Sequence, residues 1–209
     1  MSTPDVAPPV GRKARTRQLV LDAAGELFAA QGIERTSVEQ VAERASVSVG
    51  TLYFHFGSKE ALALAFIESA LDSIERLMAD VARGESPIER VMLAGDAYLQ
   101  FAIEFPVACR FGTLRAMQPE LRGPHDAIGK GLRNRVQQIL MTVAGDVKAA
   151  MDAGEIRREP IADLMIFLWS SWNGMVTMMV RQDKLAIPPE AAKRSLALGR
   201  SLLLESLRP

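Results

Sequence analysis

The chain has 209 residues, 48% of them apolar, with 25 lysines and arginines balanced by 25 aspartates and glutamates and a single cysteine. That apolar fraction, with many charges of both signs, argues for a folded core against intrinsic disorder. Zero net charge excludes polyanion binding by bulk charge alone, and the lone Cys109 excludes an intramolecular disulfide or a cysteine-built zinc site.

Residues 1–11, which open MSTPDVAPPV, are polar and proline-rich and are expected to form a disordered arm. Asp22 and Glu26 interrupt the apolar stretch that follows, so no secretion-signal core can be drawn and a cytoplasmic location is expected. A first helix from residue 12 sets Leu19, Ala23 and Leu27 beside Val20, Ala24 and Phe28 at spacing four, with Gln18, Asp22 and Glu26 on the opposite face. Gly32 stops it. Ser37, with Gln40 three residues on, forms a capping box for a short helix carrying Val38, Val41 and Ala42. Ser48 caps a third short helix through Leu52 and Phe56, which Gly57 ends.

From Lys59 the helices lengthen. Leu62, Phe66, Ile67, Ala70, Leu71, Ile74, Leu77, Met78 and Val81 make one sustained stripe, closed by Gly84. Ser86, Pro87 and Glu89 supply an N-cap, a first-turn proline and a capping-box acid for a helix reaching Phe105. Further helices are expected at about 106–117, 125–153, 161–181 and 189–207, set off by Pro119, Gly123-Pro124, Gly154, Pro160 and Pro188-Pro189. Leu164–Val180 is an uncharged run of 17 residues, at the lower limit for a membrane span, but Ser170, Ser171, Asn173, Gly174 and Thr177 mark it as a buried soluble helix. The fold class is therefore all-α, with about nine helices, three in a head (12–60) and six in a body (61–209).

Two short helices joined over Ala45–Ser48 and braced by a preceding one have helix-turn-helix spacing, with the motif at about 37–56. The segment TSVEQVAERASVSVGTLYFHFGSKEAL, residues 36–62, resembles the DNA-binding head of the TetR family of bacterial transcription regulators. Thr36-Ser37, Val41-Ala42, the run Val47–Tyr53, His55-Phe56 and Ser58–Leu62 carry that resemblance, which covers about the first 65 residues. Ser46 stands where the family usually has glycine, and Val49 where a base is frequent. The resemblance implies a dimeric regulator, usually a repressor, with double-stranded operator DNA as partner and a ligand-binding body; no cofactor and no enzymatic activity are expected.

The residues support DNA binding independently. Gly50 permits close backbone approach, Ser48, Thr51, Tyr53 and His55 offer hydrogen-bonding groups, and Val49 offers a surface for a thymine methyl. Thr36 and Ser37 lie at a helix N-terminus and Lys59 in a first turn, positions that favour a phosphate. Arg12, Lys13, Arg15 and Arg17, with no acid between them, are expected to act as a flexible arm reaching phosphates or a minor groove. The competing readings are a core role for Tyr53, a plain surface histidine for His55, pure capping for Thr36 and Ser37, and a solvated tail for the arm. Residues 1–60 carry seven bases and seven acids, and residues 45–58 carry no formal charge, so only modest non-specific affinity with a shallow salt slope is expected.

Soft and aromatic bulk is concentrated in the body, which suits an adaptable apolar cavity. Phe101, Phe105, Phe111, Met117, Met141, Trp169, Trp172 and Met175 are candidate walls, and Tyr98, Asn173 and Thr177 candidate polar anchors, for an apolar small-molecule effector. An ordinary helical core is the alternative for each. The resemblance implies a homodimer through the last two helices, for which Ala192, Leu196, Gly199, Leu203 and Leu207 form a close-packing stripe. Only His55 and His125 are available for histidine chemistry, and no nucleophile elbow or phosphate loop is present. His125-Asp126 reads as a helix-start feature, and no metal site is expected. A helical small-molecule binder or enzyme with a vestigial head remains the alternative function.

Overall fold

A computed structural model describes residues 11–110 and 127–209, the side chains of Arg12 and 127–132 excepted. The arm (residues 1–10), Phe111, Met117 and the His125-Asp126 pair lie outside the described residues. The helices are α1 (Arg12–Gln31), α2 (Val38–Arg44), α3 (Val49–Phe56), α4 (Lys59–Val81), α5 (Pro87–Glu104), α6 (106–110, at the edge of the described residues), α7 (Ala127–Asp152), α8 (Ile161–Val180) and α9 (Pro189–Ser206). No strand occurs among the described residues, and the fold is all-α.

The chain divides into two compact units, 1–67 and 68–209. The first ends seven residues beyond the expected boundary, because the start of α4 belongs to the head core. Its Phe66 meets Phe28 of α1 edge-on, with ring centroids 5.7 Å apart. Val20, Leu21, Ala24, Phe28, Val38, Val41, Ala42, Leu52, Phe56 and Leu62 complete that core. Leu19, expected inside, is 48% exposed, and Leu21 is buried instead. The buried stripe of α1 is rotated by part of a turn from the one drawn by spacing alone. Gly25 lets α1 and α4 approach: a Cβ there would stand 2.7 Å from Phe66 Cε2.

In the second unit α5 lies against α7, α8 and α9. Its Val91, Met92, Ala94, Gly95, Ala97, Leu99, Phe101 and Ala102 are buried, whereas α8 buries one stripe at spacing four, Leu164, Leu168, Trp172, Val176 and Val180. Gly95 admits the indole of Trp172, whose Nε1 would lie 2.7 Å from an added Cβ. Ser86 caps α5 through the Glu89 N–H, but Glu89 turns its carboxylate to the N–H of Glu85, so the box closes one residue early. Arg90 of α5 pairs with Asp146 of α7 at 2.8 Å, with both side chains largely covered. Arg135 of α7 bridges Asp72 and Glu75 of α4.

The dimer stripe expected on α9 needs correction. Ala192, Leu196 and Leu207 are buried inside the unit, while Leu198 and Leu202 are 61% and 59% exposed, with Gly199 and Ser195 beside them. The apolar residues of α9 thus serve two faces: the chain's own core takes Ala192, Leu196 and Leu207 of the expected stripe, while Leu203 is half-buried and Gly199 stays exposed. On α8 the open face carries Ile166, Phe167, Ser170, Ser171 and Gly174.

Gly25→Ala is expected to lower the stability of the head by about 1–3 kcal/mol, since the ring it meets is itself buried and cannot swing aside. Gly145→Ala, on an open helical surface, is expected to be neutral or stabilising by up to about 1 kcal/mol. Urea unfolding followed by circular dichroism separates the two.

Candidate nucleic-acid interface

The head builds its outer surface from the turn between α2 and α3. Val47 N–H donates to Ala42 O at 2.9 Å and Ser46 N–H to Glu43 O at 3.0 Å, the double bond pattern of a Schellman cap. Ser46 takes the left-handed conformation that this cap requires, with φ 55°. Serine therefore does what glycine ordinarily does there, at a cost of roughly 1 kcal/mol. Ser48 then caps α3, its Oγ accepting the Thr51 N–H at 3.0 Å and lying 2.8 Å from Thr51 Oγ1.

Leu52 and Phe56 turn inward, which leaves Gly50, Tyr53 (46% exposed) and Phe54 (74% exposed) on the outward face of α3. Ser48 is exposed at its start, and Val49, Thr51 and His55 are half-buried on the flanks. Phe54, absent from the residues singled out by sequence, is the most exposed large apolar side chain among those described. Its signal was its place one turn after Gly50. The chemistry of α3 drew attention to hydroxyls instead.

Ser37 sits in a closed capping box: its Oγ accepts from Gln40 N–H at 3.2 Å, and its own N–H donates to Gln40 Oε1 at 2.9 Å. Thr36 is 2% exposed, and its hydroxyl donates to Gly32 O at 2.8 Å. The Thr36 side chain thus locks the loop between α1 and α2, and the residue lies at the border of the head's open cleft. Lys59 Nζ donates to Glu34 O at 3.0 Å and ties the start of α4 to the same loop. Ser37, Tyr53, Ser58 and Lys59 line an open cleft on the head. Glu39 and Glu60 share it, and each carboxyl is held below its ordinary range by its own backbone N–H and then by the Ser37 or Ser58 hydroxyl. Both remain charged where a phosphate would approach, which offsets the lysine.

The basic cluster is not a flexible arm. Residues 12–17 are the first turns of α1, where Gly11 O accepts the Arg15 N–H at 3.1 Å. Lys13 Nζ stands 5.2 Å from the Phe54 ring centroid, and the Arg17 guanidinium 5.3 Å from that of Phe56. Cation–π attraction thus holds Lys13 and Arg17 beside α3, while Arg15 is exposed on α1.

Residues 20–66 match the model of the bacterial regulatory proteins of the tetR family. The regulator UidR of Escherichia coli K12 is 32% identical over 148 residues, covering 68% of this chain and 69% of UidR. The A-factor receptor protein of Streptomyces griseus is 32% identical over 115 residues, 54% of this chain but only 40% of that protein. The chain belongs to the TetR family. A TetR-family regulator of Cytophaga hutchinsonii shares its fold at a TM-score of 0.72 and 17% identity, over 96% of this chain and 98% of that one. KstR2 of Mycobacterium tuberculosis does so at 0.67 and 19% identity, over 98% and 100%. UidR and both structural neighbours are transcriptional regulators, and this TetR-family chain is a transcriptional regulator, not an enzyme. TetR regulators bind operator DNA and act as dimers with small-molecule effectors. Among the described residues no helix is long and apolar enough to cross a membrane.

In the body of this TetR-family chain, Tyr98 Oη donates to Asn173 Oδ1 at 3.1 Å, and its ring lies 5.3 Å from that of Trp169. Phe101 and Phe105 stack at 5.6 Å. The structure thus brings these five expected residues into two clusters. Met141 is 67% exposed and forms no wall, because the buried stripe of α7 runs through Val143, Val147 and Ala150. Trp172 and Met175 border a small groove with Phe167, Leu168, Leu196 and Leu203, between α8 and α9 at the surface. Thr177 is half-buried on α8. Burial pushes the Tyr98 hydroxyl above its ordinary value, with Cys109 adding to the shift, and burial pushes the Cys109 thiol up to about 12.

Thr36→Val is expected to cost about 1–3 kcal/mol of head stability, by leaving Gly32 O without its donor. The salt dependence of DNA binding is expected not to change, and anisotropy titrations at several salt concentrations check it. For Cys109, the folded value lies above the ordinary 9.0, so its contribution to stability is complete below pH 9 and is lost as pH rises from there towards 12. At pH 8 a thiol-exchange reagent is expected to label Cys109 only on unfolding, read by absorbance.

Proposed function

We propose that the chain is a dimeric repressor whose paired heads hold a two-fold symmetric operator and whose body binds an apolar small molecule that releases it. One observation carries this reading. The second helix of the helix-turn-helix buries Leu52 and Phe56 and presents Gly50, Tyr53 and Phe54, free of charge, to the outside. Such a face suits a major groove, where base edges and thymine methyls offer partners. Lys13 on α1 and Lys59 on α4 flank it for the phosphates.

The open faces of α8 and α9, with Ile166, Phe167, Leu198 and Leu202, support pairing through these helices. Small residues, Gly174 and Gly199, lie on them and permit close approach. A two-fold axis presents the heads to half-sites about 34–36 Å apart. For the effector, the support is the aromatic and hydrogen-bonded cluster of Tyr98, Trp169 and Asn173 beside stacked Phe101 and Phe105. KstR2 is a ketosteroid regulator, which is in keeping with an apolar effector. Release requires the effector to favour the geometry that does not fit DNA; a hundred-fold preference supplies about 2.7 kcal/mol of coupling. Helix α4 contributes to both units and is the covalent route for that coupling.

Selection of duplexes from a random pool, followed by gel retardation, tests the reading. A symmetric sequence is expected to be enriched, with a shallow salt dependence. Tyr53→Ala is expected to lose at least about ten-fold in specific affinity with its melting temperature kept, since the side chain is half exposed. Enrichment of no sequence at moderate salt overturns the proposal.

A further inference from the structure

The outward face of α3 carries an apolar group with no partner in the head core. Phe54 is 74% exposed, and leaving so large an aromatic surface in water is unfavourable. It is placed, however, in a defined setting. Gly50 lies one turn earlier on the same face, and a Cβ added there would meet nothing closer than Ser48 Oγ at 3.8 Å. Helical side chains lean towards the preceding turn, and that is the turn on which Gly50 leaves open space. The ring is also held: Lys13 Nζ lies 5.2 Å from its centroid, and the His55 ring meets it edge-on at 5.5 Å.

We propose that Phe54 and Gly50 form an apolar notch that reads the C5-methyl group of a thymine in the operator, making Phe54 a specificity-determining residue. The inference rests on the DNA-binding reading above and deepens it. Three features select this occupant. The exposed Phe54 ring is apolar and matches a methyl group, the one apolar feature a base pair shows in the major groove. The flanking α3 residues carry no formal charge, and the one cation at the ring is Lys13 of α1. Lys13, seated on the ring, stands where it can meet the phosphate beside that thymine. Its charge and the methyl contact are therefore separable.

The test uses the full chain and the operator recovered by selection from random duplexes. Each thymine is replaced in turn by deoxyuridine, which removes only the methyl group, and affinity is read by fluorescence anisotropy. One thymine per half-site is expected to lose about three- to five-fold on replacement, the value of one buried methyl group. In Phe54→Ala that loss disappears, while uridine effects at other positions persist. Phe54→Leu keeps part of it. Lys13→Gln retains the methyl effect and lowers the salt slope by about one. Because Phe54 is exposed, Phe54→Ala is expected to melt as the parent chain does. If uridine replacement has the same effect in the parent and in Phe54→Ala at every position, the notch does not read a methyl group, though the regulator reading stands. If no operator is recovered, the regulator reading fails and this inference fails with it.

Discussion

The recognition surface depends on one constraint, the left-handed residue in the four-residue turn between α2 and α3. Ser46 at φ 55° lets the Ser46 and Val47 N–H groups reach back to Glu43 and Ala42, which closes α2 and aims α3 across it. An extended conformation at this residue would break both bonds and rotate α3. Leu52 would then leave the core, and Gly50, Tyr53 and Phe54 would no longer share the outer face. The chain accepts the cost of a Cβ at this position because the buried contacts of Val41, Ala42, Leu52 and Phe56 overdetermine the turn.

Electrostatics follow from that geometry. Charge in the head is kept off α3 and placed around it, on the first turns of α1 and at Lys59. Glu39 and Glu60, held ionised by backbone and hydroxyl groups, weaken the positive field of the cleft. A head arranged in this way is expected to gain little from counterion release, which would leave discrimination among sequences to shape, hydrogen bonds and apolar contact. An exposed phenylalanine is useful in that setting, where a cation would bind every phosphate alike.

The body follows a different logic. Helix α5 is buried against α7, α8 and α9, and glycine at position 95 is needed for the Trp172 indole to reach it. Arg90–Asp146 and Arg135 with Asp72 and Glu75 add directional ties between helices; the exposed members of these pairs contribute little stability. Among the described residues, α8 and α9 leave the large apolar side chains Ile166, Phe167, Leu198 and Leu202 exposed.

By itself the sequence determined the helical class, the caps at Ser37, Ser48 and Ser86, the turn over 45–48 and the motif that names the family. These are local properties, set by neighbours three or four residues away, and they survive any arrangement of the helices. Only the tertiary structure decided which apolar residues face inward. Leu19 and Leu21, or Leu196 and Leu198, are equivalent in composition, and a rotation of a fraction of a turn separates buried from exposed. In the same way the Thr36 hydroxyl proved to be an internal lock, and the basic cluster a helix start with Lys13 and Arg17 beside aromatic rings in place of an arm. Met141 turned outward for the same reason, since α7 had another stripe to bury. Periodicity specifies that a face exists, but the packing partner specifies which one is covered.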